Sequence, residues 1–158
     1  TVDGTDFRIR EPQPFDKKWY SHKFKAAGLR YKVAICIQSA YIVWINGPYP
    51  CGAWSDQKIF KHRLLHRLGQ DEMVEADAGY GGDSVRLPSD YLSKADLSAK
   101  NAARSRHETI NSQFKKWKIL DQPFRHSINS HHKVFKCIAA ITQLAIKEGH
   151  YQPFAVCY

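Results

Sequence analysis

Three acidic residues stand where oxygen-ligand chemistry can be assembled. Asp3 precedes Gly4-Thr5 in a strand-like segment, Asp77 closes a short apolar stretch before Gly79-Tyr80, and Glu108 lies within Arg106-His107-Glu108-Thr109-Ile110. If the first and fourth strands lie side by side, the two aspartates meet at one sheet edge, and a helix across that edge adds the glutamate. Three carboxylates can hold two divalent ions roughly 3.5–4 Å apart, one activating water or a 3′-hydroxyl and the other stabilising a leaving oxygen. All-oxygen donors suit Mg²⁺ or Mn²⁺ better than Zn²⁺. Each residue also has a plainer reading. Asp3 beside Gly-Thr can make a turn, Asp77 can end a strand, and Glu108 can pair with Arg104 four residues earlier on a solvated helix. Spacing alone does not choose between these.

The surrounding charge favours a polyanionic partner. The 158 residues carry 24 Lys+Arg against 15 Asp+Glu, a net charge of +9, and such an excess points to nucleic acid. The excess is unevenly spread. Residues 71–98 hold seven acidic and two basic side chains, whereas residues 99–133 hold eight basic and two acidic. An acidic island within a basic chain suits a metal-dependent nuclease, although uneven solvated charge would look the same. With 43% hydrophobic and 13% aromatic residues, the chain is too apolar for a disordered tail and long enough for one domain with a core. No apolar run approaches the ~18 residues of a membrane span. The start at Thr1-Val2-Asp3 lacks Met and any signal-peptide pattern, so the chain reads as a fragment or processed product. Cys36, Cys51, Cys137 and Cys157 form no C-x-x-C pair, which speaks against a zinc knuckle. Cys36 and Cys137 are expected to be buried free thiols in a reducing compartment. The His62/His66 and His131/His132 pairs are expected on the surface rather than on a metal.

The elements that must position the acids follow from periodicity. Residues 1–10, 29–38 and 40–46 read as strands, the last two joined by a tight turn at Ser39-Ala40. A helix from Ser55 or Asp56 to Leu68 follows, with Ile59, Phe60, Leu64, Leu65 and Leu68 at helical spacing and Gly69 stopping it. Residues 72–77 and 84–87 read as short strands. A long helix over 96–119 carries the stripe Ala103, His107, Ile110, Phe114 and Trp117, and Pro123 breaks it. A last helix over 131–147 turns Val134, Ile138, Ile141 and Ala145 to one side, with Gly149 beyond its end. The order is a three-strand antiparallel meander followed by α-β-(β)-α-α. It predicts a mixed α/β (α+β) sheet with helices on its faces, in one domain over residues 1–158.

The ordered set Asp3-Gly4-Thr5, Ile42–Pro50 with Gly52-Ala53-Trp54-Ser55-Asp56, Ala76-Asp77-Ala78-Gly79-Tyr80, and Arg104 to Asn111 with Phe114-Lys115 resembles the nuclease domain of Harbinger-type DDE transposases. That family shows a D-G-T strand motif, a G-S-x-x-D-like turn, a D-x-G-Y motif and an R-x-x-x-E-x-x-x-x-x-F-K-like helix. Four motifs in order cover nearly the whole chain. The resemblance implies a ribonuclease H-like fold, a nuclear enzyme, and catalytic, metal-binding acids at Asp3, Asp77 and Glu108 holding Mg²⁺ or Mn²⁺ as two ions. Asp56 falls on the turn motif and is expected to cap its helix or to sit beside the metal centre. Asp6, Ser55 and Gly82 stand where the family often has His, His and Pro.

DNA contacts are expected from Arg104 and Arg106 beside Glu108, from Lys115, Lys116, Lys118 and Arg125 further along, and from the aromatic–basic loop holding Trp19, Tyr20, His22, Lys23 and Lys25. Such contacts position double-stranded DNA without reading it. The family usually carries a helix-turn-helix upstream, and none is recognisable here. Target reading is then expected from a missing N-terminal part or a separate DNA-binding partner protein, with a homo-oligomer on DNA compatible with both. The readings in contention are a DDE-type, metal-dependent endonuclease or strand-transfer domain, and a domesticated or decayed transposase domain that binds DNA or a partner without cutting. A plain basic nucleic-acid-binding module is the weakest of the three.

Overall fold

In a computed structural model, residues 1–76, 80, 85–86 and 93–150 are described. Strands β1 (Val2–Arg8), β3 (Ala26–Ile35) and β4 (Ile42–Pro50) form an antiparallel meander, with the two-residue β2 (Tyr20–Ser21) pairing the start of β3. β3 is central because both β1 and β4 pair with its residues 29–34. It is buried continuously from Tyr31 to Ile35, which is why its sequence reads as an unbroken apolar run apart from Lys32.

Period-two alternation divides the core between the two faces of this sheet. Phe7, Leu29, Tyr31 and Val33 turn to one face and pack with Ile110, Phe114, Phe135 and Ile138 from the long helices. Val2 and Ala34 turn to the other and pack with Phe60, Leu64, Val74, Ala76, Tyr80 and Val85. The result is a mixed α+β architecture with helical segments on both faces of an antiparallel sheet.

Helix α1 (Asp56–Ile59) runs on through a π turn (Phe60–Leu64) and a 3₁₀ turn (Leu65–Arg67), capped at its start by Ser55 Oγ accepting from Lys58 N at 3.2 Å. β5 (Val74–Glu75) and β6 (Val85–Arg86) pair in parallel. Helix α2 (Lys94–Lys115) opens on Ser93, whose Oγ accepts from Asp96 N while donating to Asp96 Oδ2 at 2.6 Å. α3 (Lys118–Asp121) and α4 (Ile128–Lys147) complete the order.

Several boundaries differ from the sequence expectation. The β3–β4 connection is a wider turn than Ser39-Ala40, because Cys36 N bonds Tyr41 O and Ala40 N bonds Cys36 O, both at 2.9 Å. β4 continues through Gly47-Pro48 to Pro50. A donorless Pro48 is tolerated because β4 pairs only with β3 among the described residues. α2 ends at Lys115 instead of 119, so Trp117 leaves the helical stripe and is exposed, while Ala103, His107, Ile110 and Phe114 are buried as expected. On α4 the buried set is His131, Phe135, Ile138, Ala139, Thr142 and Ile146, with Ile141 outward. The stripe is rotated because the aromatic cluster of Phe7, Tyr31, Phe114 and Phe135 sets which side of α4 faces the sheet. Cys137 lies on the exposed side of α4 and Cys36 is partly exposed, so neither is the buried thiol expected; Cys51 is buried.

Candidate functional site

Helix α2 presents two adjacent stripes. Ala103, His107, Ile110 and Phe114 face the core, and Arg104, Glu108, Asn111 and Lys115 follow one position on at the same 4-3-4 spacing, forming a polar row. That row lies along β1. Asn111 Nδ2 donates to Asp3 Oδ2 at 3.3 Å, and Gly4 N donates to Asp3 Oδ1 at 2.7 Å. Both oxygens of Asp3 are thereby oriented. A cleft of about 110 Å³ opens between these elements, lined by Asp3 and Glu108 together with Thr1, Val2, Glu75, Ala76, Arg104 and His107.

The structure therefore brings Asp3 and Glu108 to one cleft whose wall includes Ala76. Asp77 lies outside the described residues. No ladder joins β1 and β5 among the described residues, since β5 pairs with β6. The two segments instead meet through side chains, with Val2, Val74 and Ala76 in one cluster. Among the described residues no three His, Cys, Asp or Glu side chains cluster as a complete metal set. Asp3 and Glu108 contribute carboxylate oxygens to a shared cleft, and this donor chemistry fits a hard divalent cation.

Beneath the acids lies a charged network. Lys32 is 0% exposed, its Nζ 3.0 Å from Asp56 Oδ1 and 4.3 Å from the centre of the Tyr80 ring. Burial pulls the Lys32 ammonium below its usual range, with Asp56 and Asp3 opposing that shift. Arg30 reaches Asp56 Oδ2 at 3.3 Å and grips Asp6 with two bonds of 2.7 and 2.9 Å. Burial alone would raise the Asp6 carboxyl, but the hydrogen bonds and charge of Arg30 outweigh it and hold it below the usual carboxylate range. The bonds that Arg30 donates to Asp6 likewise raise the Arg30 guanidinium. Asp56 is thus an ion-pair partner, and the helix cap is its neighbour Ser55. Gly4 leaves room for this arrangement: a Cβ there would stand 1.9 Å from Asp56 Oδ1.

Two histidines are held neutral. His107 Nδ1 lies 3.0 Å from Thr1 Oγ1, and burial, aided by the Lys32 charge, lowers its pKa to about 3. His131 is buried 2.9 Å from the Tyr31 hydroxyl, with burial lowering its pKa to about 4. The expectation of a surface His131 fails because Phe7, Tyr31 and Phe124 enclose its ring. His62 and His66 are exposed as expected.

The predicted DNA-binding residues divide. Arg104 is exposed at the cleft, and Lys116, Lys118 and Arg125 are exposed further along. Lys115 is half-buried and is lowered by burial and by the neighbouring charge of Lys23, so α2 and the loop after β1 bring two cations together. Trp19 is half-buried against the core. Arg106 is buried and donates to the Ile37 carbonyl, so it ties α2 to the β3–β4 turn and lies away from the solvent-facing row. The sequence reading assigned no role to Asn111, Arg30 or Lys32. Their signals were present: Asn111 is three residues after Glu108, and Arg30 and Lys32 alternate within an apolar strand.

A family profile described as DDE superfamily endonuclease matches residues 2–143. No curated protein and no solved structure matches the chain.

Proposed function

We propose that this chain, which belongs to the DDE superfamily endonucleases, is a transposase-derived nuclease domain of Harbinger type and ribonuclease H-like fold that cleaves or joins DNA phosphodiesters with divalent metal. The observation that carries the reading is the convergence of Asp3 and Glu108 on one cleft bordered by Ala76, the residue before Asp77. Asp3, Asp77 and Glu108 are the residues that would hold Mg²⁺ or Mn²⁺. Bound there, such ions supply Lewis acidity toward a phosphoryl oxygen and a nucleophile at neutral pH.

The rest of the work falls to the protein. Asn111 and the Gly4 amide fix the direction of the Asp3 oxygens. Arg104 offers a guanidinium at the cleft for a phosphate oxygen. Lys115 and Lys23 extend positive potential away from it along the DNA backbone. His107, held neutral, adds no cation to compete for the acids. Water or a 3′-hydroxyl then attacks the phosphorus in line with the leaving 3′- or 5′-oxygen. The departures at Asp6 and Ser55 have structural tasks, the first pairing Arg30 and the second capping α1, and so they do not weaken the catalytic reading. Sequence choice on double-stranded DNA would come from a partner or further module, in the nucleus.

The test is incubation of supercoiled plasmid with the protein in Mg²⁺ or Mn²⁺, beside Asp3→Asn, Asp77→Asn and Glu108→Gln. Nicking is expected from the wild type and lost in all three variants. Nicking that persists in the variants refutes the acid set, and DNA binding without cleavage by any form indicates a domesticated, non-catalytic domain.

A further inference from the structure

We infer that a pocket beside the sheet, remote from the acids, binds an unpaired nucleobase of the DNA; this rests on the proposed action on DNA. The pocket has a volume of about 420 Å³ and is lined by Phe15, Lys17, Tyr20, His22 and Gly52. Three of its five residues carry flat rings. Phe15 is 45% exposed, so its ring is open to a guest. Tyr20 and His22 meet edge to face with ring centres 5.2 Å apart, so a planar guest laid on one ring meets the edge of the other.

The pocket is built rather than incidental. Its two chain segments are joined by Gly52 N and Ala53 N, both donating to Lys18 O, at 2.8 and 3.1 Å. Glycine is required at the floor, because a Cβ on residue 52 would stand 2.4 Å from Lys17 O. The turn that follows Asp16 is capped by its side chain, which accepts from Lys18 N at 2.9 Å. Asp16 also pairs with Lys18 at 2.9 Å, which leaves Lys17 to line the pocket.

Charge selects the guest. Residues 16–25 carry four lysines and one aspartate, and Lys23 lies close enough to Lys115 to lower it. The polar row of α2 therefore continues from the acid cleft through Lys115 and Lys23 toward this pocket, giving a track for a phosphate backbone. A ring-lined hollow on such a track suits a base, since stacking on aromatic side chains accepts any sequence. Tyr20 pairs with Ala27 and Asp3 with Val33. Six residues along β3 at about 3.3 Å each separate the two places by roughly 20 Å. A base stacked here would be held several nucleotides from a phosphate at the acids. Because a paired base cannot enter, the pocket senses unpaired nucleotides such as those at a frayed or processed DNA end.

The test uses a blunt duplex and the same duplex with a short single-stranded overhang carrying 2-aminopurine, in buffer containing EDTA so that no cleavage intervenes. Wild type is expected to bind the overhang form about 10-fold more tightly, in line with stacking of one base, and to quench the 2-aminopurine. Phe15→Ala, at an exposed ring outside the expected duplex contacts, is expected to lose both the preference and the quenching while keeping blunt-duplex affinity; His22→Ala is a second, exposed variant read by the same loss of preference and quenching should the first fail to fold. Equal affinity of wild type for the two duplexes overturns the pocket and leaves the nuclease reading standing. Preference and quenching retained in the variants also overturn it. Absence of binding to either duplex overturns the action on DNA and the pocket with it.

Discussion

Replacing Gly4 by Ala should destabilise the protein through one identifiable atom. The added Cβ would lie 1.9 Å from Asp56 Oδ1, against the 3.4 Å at which ordinary contact begins. Asp56 must therefore move about 1.5 Å, and the oxygen that moves is the one 3.0 Å from Lys32 Nζ. Lys32 is fully buried, so the displacement strands an ammonium ion. Breaking a buried pair costs about 3–5 kcal/mol. The Asp56 side chain is 34% exposed and keeps access to water, which places the expected loss near the lower end, about 3 kcal/mol. The assay is urea unfolding of wild type, Gly4→Ala, Asp56→Ala and the double variant. In the Asp56→Ala background the obstructing carboxylate is gone, and Gly4→Ala should then cost less than about 1 kcal/mol, a coupling of ~2 kcal/mol or more between the two sites. Additive losses would refute the reasoning, since they would mean that Gly4 acts through its backbone and not through Asp56.

Further outcomes follow from the same structure. Below the ordinary imidazole pKa of ~6.5 the unfolded chain protonates His107 and His131, whereas the folded chain does not until about 3 and about 4. The stability that rests on them is therefore present above pH ~6.5 and lost as pH falls toward 4, by about 3 kcal/mol for the two between pH 7.5 and 5.5. Urea unfolding at those two pH values checks this, and equal stabilities would contradict it. Ser93→Ala should cost ~1 kcal/mol by removing the cap of α2, seen as a lower thermal midpoint. Asn111→Ala, by removing the hydrogen bond to Asp3 Oδ2, should slow plasmid nicking while leaving DNA affinity within about twofold, read by cleavage rate and by fluorescence polarisation.

The meander, the capped helix at Ser55 and the two long helices were legible because each rests on local periodicity and punctuation. The α2 stripe was readable through Phe114 and failed at Trp117, since no proline or glycine marks the break after Lys115. On α4 the wrong stripe was favoured because counting apolar residues rewards Ile141 and ignores His131, which is buried by aromatic packing that only the tertiary structure defines. For the candidate site, Asp3 and Glu108 were singled out through motif order, and both line one cleft. The supporting network was not, although Arg30 and Lys32 showed two charges on one face of a buried strand. Their partners Asp6 and Asp56 are 24 residues away in each case, a distance over which periodicity carries no information. Arg106 looked like a phosphate ligand beside Glu108. Residues two apart on a helix point about 200° apart, and that angle puts the buried Arg106 on nearly the opposite side from Arg104 and Glu108.

The central claim is that Asp3 and Glu108 serve one metal site. Mn²⁺ binding, titrated by electron paramagnetic resonance on wild type, Asp3→Asn and Glu108→Gln, tests it most directly. Wild type should take up Mn²⁺, and each single variant should weaken that uptake at least ~10-fold, as loss of a carboxylate ligand does. Wild-type affinity retained in both variants would contradict a shared site.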